Sequence, residues 1–228
     1  MLIRNWMTPE VVTVTSDTSL LKLGKLMRDH GVRRLPVLDN GRVVGIISDR
    51  DVRDASPSKA TTLDMYEMHY LLAEIKAKDI MTPKPVTIKP TDTVEKAAMI
   101  MLDKKIGGLP VVDEKGALVG IISDQDVFKA LVNITGVRDG GIQLGIEIAN
   151  EAGAMRPIFD LFRKHGARII SVLSTNNDEG RRNIFLRLRD VKDEATKDAL
   201  LRDVQEHARL LYWARDEVHL ASRILCGA

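Results

Sequence analysis

The chain predicts an α/β (α+β) protein: an internally duplicated module with pseudo-twofold symmetry, followed by a smaller unit of different pattern. Three observations carry this. Residues 7–55 and 81–130 repeat one another. Met7-Thr8-Pro9 answers Met81-Thr82-Pro83, Leu35-Pro36-Val37 answers Leu109-Pro110-Val111, and Gly45-Ile46-Ile47-Ser48-Asp49-Arg50-Asp51-Val52 answers Gly120-Ile121-Ile122-Ser123-Asp124-Gln125-Asp126-Val127. A single inserted residue, Lys115, aligns the copies. Within each copy the apolar pattern changes from strand-like to helix-like and back. After about residue 136 the repeat stops, and Gly136, Gly140 and Gly141 lead into a new alternation of strands and helices. Two copies are too few for a solenoid. They suit a pair in which each half covers the other's apolar face and a ligand cleft lies between them.

Each copy reads as strand, helix, strand, strand, helix. Val11-Val12-Thr13-Val14 is a β-branched run. Leu20, Leu23, Gly24, Leu26 and Met27 share one helical face, and Gly31 is placed to end that helix. Leu35–Leu38 and Val43–Ile47 form strands joined by Asp39-Asn40-Gly41, a hairpin signal. Ser48 then opens a closing helix. The second copy turns at Asp113-Glu114-Lys115-Gly116. Between the copies, Leu63, Tyr66, Tyr70, Leu71 and Ile75 predict a partly amphipathic helix packed on the module.

The later part predicts a half-buried strand over 142–149, from Ile142, Leu144, Ile146 and Ile148. A helix follows with Met155, Ile158, Phe159 and Phe162 on one side and Gly166 at its end. Strands at 167–174 and 183–188, a helix near 193–207 and a strand at 209–214 complete a β-α-β-β-α-β order, the ferredoxin-like pattern. The expected organisation is therefore a pair over 1–136 (copies at 7–55 and 81–130, connecting segment 56–78), a second unit over 142–215, and a tail, 216–228, read as a short helix.

Composition narrows the function. The apolar fraction is 44% and the charged fraction 29%, ordinary for a soluble globular protein. No apolar run reaches the ~20 residues that cross a bilayer, and Met1–Trp6 lacks a signal-peptide layout, so the expectation is a cytoplasmic chain with no membrane role. Net charge is +2 with signs intermixed, which argues against nucleic acid, and the Arg181-Arg182, Arg187, Arg189 stretch reads as a solvated strand face. Cys226 is the one cysteine, and His30, His69, His165, His207 and His219 are scattered, so no metal site is predicted. There is no Gly-x-Ser-x-Gly, Walker A loop or His-Glu-x-x-His, and no catalytic residues are assigned.

The repeated Ser-x-x-Asp carries the chemistry. Ser48 and Asp51, like Ser123 and Asp126, follow a strand and open a helix. That is nearly a capping box, which would merely satisfy backbone donors. The same geometry serves a nucleotide: the helix start favours phosphate, and the carboxylate can accept from both ribose hydroxyls. Arg33-Arg34 before Leu35-Pro36 offers guanidinium forks to a phosphate or serves as ordinary surface charge. At the matching place the second copy has Gly107-Gly108, which permits close backbone approach without charge. Val12 and Val86, with the Leu-Pro segments (Leu35, Pro36, Pro110), are either core or an apolar slot for a base.

On these motifs the two copies resemble CBS domains, and residues 1–136 resemble a CBS pair, or Bateman module. Residues 142–215 resemble an ACT domain through their topology and Asn150-Glu151-Ala152-Gly153, where only the glycine of the usual Asp-x-Pro-Gly turn is kept. The succession, with Tyr66-Glu67-Met68-His69-Tyr70-Leu71-Leu72 in the connecting segment, is similar to the AcuB type of acetoin-utilisation protein. The resemblance implies a non-catalytic regulator with no required cofactor. It would bind AMP, ADP, ATP or S-adenosylmethionine through Asp51 and Asp126 on the ribose, with Ser48 and Ser123 beside them. It further implies that Arg33 and Arg34 contact phosphate, and we group them with Asp51 in one site. The other site is expected to be empty or to take a ligand without phosphate. Asn150 and Gly153 become candidates for an amino-acid carboxylate, the alternative being pure dimerisation by that unit. A homodimer through either unit and an unidentified protein target complete the expectation. A constitutive dimeric scaffold without ligand is the competing one.

Overall fold

The computed structural model describes residues 1–57, 64–189, 191, 193–215 and 218–220. The chain divides into two compact units, Met1–Ala130 and Leu131–Ala228.

In the first unit the first copy supplies β1 (Val14–Thr15), α1 (Leu20–His30), β2 (Arg34–Asp39), β3 (Arg42–Ser48) and α2 (Asp49–Asp54). Helix α1 buries Leu20, Leu23 and Met27 along one stripe and ends at Gly31 in the left-handed conformation (φ 62°). The β2–β3 turn places Asn40 (φ 48°) and Gly41 (φ 77°) at positive φ, as a twist-matched two-residue hairpin requires. The connecting segment holds α3 (Met65–Glu74) and α4 (Ala77–Ile80); then come β4 (Thr82–Pro83), α5 (Val94–Lys104), β5 (Gly108–Val112), β6 (Leu118–Ser123) and α6 (Asp124–Thr135).

The sheets show how the halves exchange chain. Strands run β1-β2-β3-β4, so Thr82-Pro83, from the start of the second copy, pairs with Gly45 and Ile46 of the first. Reciprocally, Thr8 bridges Ile121, and Ile88 bridges Val111 where β1 pairs with β2 in the first copy. The backbone bonds match: Ala77 N donates to Thr18 O as Ile3 N donates to Asp92 O. Each core is therefore completed by the leader of the other copy. Ile3, fully buried, packs with Ile88, Val94, Leu109, Val111 and Ile122; Ala77 packs with Leu20, Leu23, Leu35, Val37 and Ile47. Gly45 and Gly120 leave room for this exchange. A Cβ on Gly120 would stand 2.6 Å from Met7 Sδ, and one on Gly45 would overlap the Met81 side chain.

Several expectations need correction here. The first strand is only Val14–Thr15; Val11 and Val12 lie outside it. The connecting helix forms, but Tyr66 and Tyr70 are exposed, while Leu72 and Ile75 pack on the first copy's core. Leu63 lies outside the described residues.

The second unit contains β7 (Ile142–Ile148), α7 (Arg156–Lys164), β8 (Ile169–Asn176), β9 (Arg182–Leu188), α8 (Glu194–His207), β10 (Arg209–Ala214) and β11 (Val218–Leu220). The sheet order is β11-β10-β7-β9-β8, with antiparallel neighbours. Ile158, Phe162, Leu200 and Val204 cover the face carrying Leu144, Ile146, Ile184 and Leu186. Strand β7 is almost wholly buried rather than half-buried, because it lies between β9 and β10. Even Glu147 is buried there, held by Arg181 Nε at 2.8 Å and Asn177 Nδ2 at 3.0 Å, so Arg181 is an ion-pair partner and not a free surface charge. Within the tail read as a helix, Val218–Leu220 is instead a strand on β10; residues 221–228, including Cys226, lie outside the described residues.

One ion cluster joins the two helices of this unit. Asp203 on α8 accepts from Lys164 Nζ at 2.7 Å and lies 2.8 Å from His165 Nε2. These bonds, Lys164 first, lower its pKa from 3.8 to about 2. A depressed carboxylate stabilises the fold above its unfolded pKa, and that contribution is lost as pH falls through the folded value. Asp203→Asn should therefore flatten the acid-denaturation curve between about pH 4 and pH 2, read by circular dichroism. Identical slopes for the two proteins in that window would show that the cluster contributes nothing.

Candidate functional site

Both repeated motifs form complete capping boxes. Ser48 N and Oγ donate to Asp51 Oδ2 at 2.7 and 2.6 Å; Ser123 N and Oγ donate to Asp126 Oδ2 at 3.0 and 2.7 Å. The return bond, Asp N to Ser Oγ, measures 3.4 Å in both. Each box leaves Oδ1 of the aspartate outside its own bonds. In the second copy that oxygen accepts from Lys129 Nζ at 3.1 Å, one helical turn on, and Asp126 itself is only 5% exposed. In the first copy the residue at the position of Lys129 is Asp54, so the charge is reversed.

A cleft of about 280 Å³ lies within the first unit. It is near the lower end of the roughly 300–1,000 Å³ usual for small-ligand sites. One wall comes from the start of the first copy, with Thr8, Glu10, Val11 and Val12; another is the turn after α1, from Gly31 to Arg34; the third is the second copy's Ile121, the run Ser123–Asp126, and Lys129. The cleft therefore joins the dibasic pair of the first copy to the Ser-x-x-Asp of the second. This corrects the grouping of Arg33 and Arg34 with Asp51. The exchange of leaders brings the first copy's Val12 to the second copy's helix start, and Arg34 reaches Asp124 there from the start of β2.

The other candidates separate. Val12 lines the cleft, but Val86 is 40% exposed and does not. Leu35, Pro36 and Pro110 are buried strand residues of β2 and β5 and do not line it either. Ser48 and Asp51 lie outside it and serve the α2 cap. In the second unit Gly153 does not begin a helix: it sits at φ 86° in the turn before α7, whose first residue is Arg156.

The electrostatics give the cleft a polar end. Arg34 Nη2 lies 3.7 Å from Asp124 Oδ2. Arg33 is exposed and has no ion-pair partner among the described residues. Lys129, Arg33 and Arg34 thus border the box of Ser123 and Asp126, with Val11 and Val12 as the apolar wall. Sequence reading overlooked Lys129. The available signal was its place one turn after Asp126, together with the reversal to Asp54 in the other copy.

Fold and cleft together define an internally duplicated α+β module with a cleft lined by residues of both halves. The CBS domain model matches residues 3–58 and 77–133, and the chain belongs to the CBS domain family. A CBS domain-containing protein of Dictyostelium discoideum is 35% identical over 134 residues, covering 58% of this chain and 92% of the relative. An inosine-5'-monophosphate dehydrogenase of Korarchaeum cryptofilum is 32% identical over 181 residues; that match takes in 75% of this chain but only 35% of the dehydrogenase. Among solved structures, CBSX2 in complex with AMP matches at 28% identity and TM-score 0.50, over 58% of this chain and 97% of that one. An AcuB chain from Vibrio cholerae matches at 26% identity and the same TM-score, over 61% and 96%.

Proposed function

We infer that the chain is a regulatory sensor that takes a phosphorylated adenosine (AMP, ADP or ATP) in the cleft of Arg33, Arg34 and Asp126. The observation that carries this is the meeting of a dibasic pair with a Ser-x-x-Asp helix start in one small cleft. The carboxylate of Asp126 suits ribose hydroxyls, the guanidinium groups suit phosphate, and Val11 and Val12 suit the base. The AMP complex of CBSX2 supports the ligand class. Occupancy would act by biasing a partner protein and not by chemistry on the ligand. The second unit, whose first six elements run β-α-β-β-α-β with β11 added at the sheet edge, fits an ACT-like role in dimerisation or amino-acid sensing, and a homodimer is the expected assembly.

Thermal shift tests the reading. Ligand at a hundred times its Kd adds about 2.7 kcal/mol to the folded state. At roughly 2–4 °C per kcal/mol the melting point should rise by about 5–10 °C with AMP, and less with adenosine at the same concentration. Arg33→Ala should lose about tenfold in AMP affinity, near 1.4 kcal/mol, and leave adenosine unchanged. The completed capping boxes favour a second reading, a dimeric scaffold with no ligand. A melting point indifferent to AMP, ADP, ATP, S-adenosylmethionine and the amino acids would select it.

A further inference from the structure

Arg33 and Gly107 occupy the same position of the two copies, as do Arg34 and Gly108. The pseudo-twofold sets these positions against one another. The Arg34 side chain lies over both glycines: a Cβ on Gly108 would stand 3.0 Å from Arg34 Cδ and 3.2 Å from its Nε. A Cβ on Gly107 would overlap the guanidinium outright and come within 2.9 Å of Asp124 Oδ2. Neither glycine has positive φ, so backbone conformation does not demand glycine at either place. What the two positions require is room, and Arg34 fills it. So held, the guanidinium faces Asp124, the residue after Ser123, at the polar end of the cleft.

We propose that Gly107 and Gly108 are positioning residues for anion recognition: they seat Arg34 across the pseudo-twofold, so that the pair has one anion-binding point, aimed at Ser123–Asp126 and not at Ser48–Asp51. The proposal rests on the nucleotide reading above. A side chain ordered before the ligand arrives spares binding the entropy of ordering it. Arg34 on one copy and two glycines on the other therefore form one device, and a side chain at 107 would displace the Arg34 guanidinium.

A double-mutant cycle of Gly107→Ala and Arg34→Ala tests this, with AMP and adenosine titrated calorimetrically and melting points measured without ligand. Gly107→Ala should weaken AMP about tenfold and leave adenosine unchanged. In the Arg34→Ala background the same substitution should cost nothing further for AMP. Without ligand, Gly107→Ala should lower the melting point more in the presence of Arg34 than in its absence. If Gly107→Ala alone fails to fold, the double variant should fold. Additive effects in both measurements, or an AMP-to-adenosine ratio unchanged by Gly107→Ala, would overturn the proposal. If the unaltered protein binds neither ligand, the nucleotide reading fails, and the melting cycle alone then decides whether these glycines seat Arg34.

Discussion

Asp126→Ala should weaken AMP binding about thirtyfold, near 2 kcal/mol, while Asp51→Ala changes it by less than about twofold. The two substitutions form a matched pair. Each removes the carboxylate of a Ser-x-x-Asp box with the same bonds to serine N and Oγ and the same 3.4 Å return contact. Each should therefore cost about 1 kcal/mol of folding stability through the lost carboxylate arm of the capping box, the serine cap remaining. Asp126 alone lines the cleft, so only its loss removes the acceptor for ribose and leaves Lys129 without its counter-charge. Isothermal titration of the two variants side by side separates cap from site. Equal losses at Asp51 and Asp126 would mean that binding depends on the caps and not on this cleft.

That contrast was hidden in the sequence for a geometric reason. The duplicated motif made the fold legible: strand end, serine, helix start and Asn40-Gly41 turn all fall where their local chemistry puts them. Which box would meet Arg33 and Arg34 is a different kind of question. Proximity along the chain favours Asp51, one β-hairpin away. The leaders cross between copies, however, and carry Val12 to the opposite helix start, where the Arg34 side chain also reaches from β2. Local pattern also cannot separate Val12 from Val86, which occupy equivalent positions; one faces a cleft wall and the other is exposed. Lys129 escaped notice because a lysine late in a helix's second turn reads as solvated surface unless its aspartate partner is known to be buried. In the second unit the alternation of β7 implied one polar face. Flanking strands bury that face as well, and Arg181 and Asn177 neutralise Glu147 inside it.

The largest stability effect should come from a residue that no repeat pattern marks. Ile3 precedes the first copy, yet it is fully buried among Ile88, Val94, Ala97, Leu109 and Ile122 of the second. Its amide donates to Asp92 O at 2.9 Å, and five residues on Thr8 bridges Ile121, a residue of the cleft wall. Ile3→Ala deletes buried methyl groups from a site walled on all sides, a change that costs about 2–5 kcal/mol. At about 2–4 °C per kcal/mol, the melting point should fall by roughly 4–20 °C. Ala77 occupies the equivalent place in the first copy's core, where a small residue suffices because α3 brings Leu72 and Ile75 alongside. Ala77→Gly should therefore cost about 1 kcal/mol, mostly helix propensity, and serves as the control. Because the leader carrying Ile3 also supplies Thr8 to the cleft, Ile3→Ala should weaken AMP through the same loosening. A melting point unmoved by Ile3→Ala would mean that the second copy closes its core without the leader of the first, and the exchange of segments would then not be what holds the pair together.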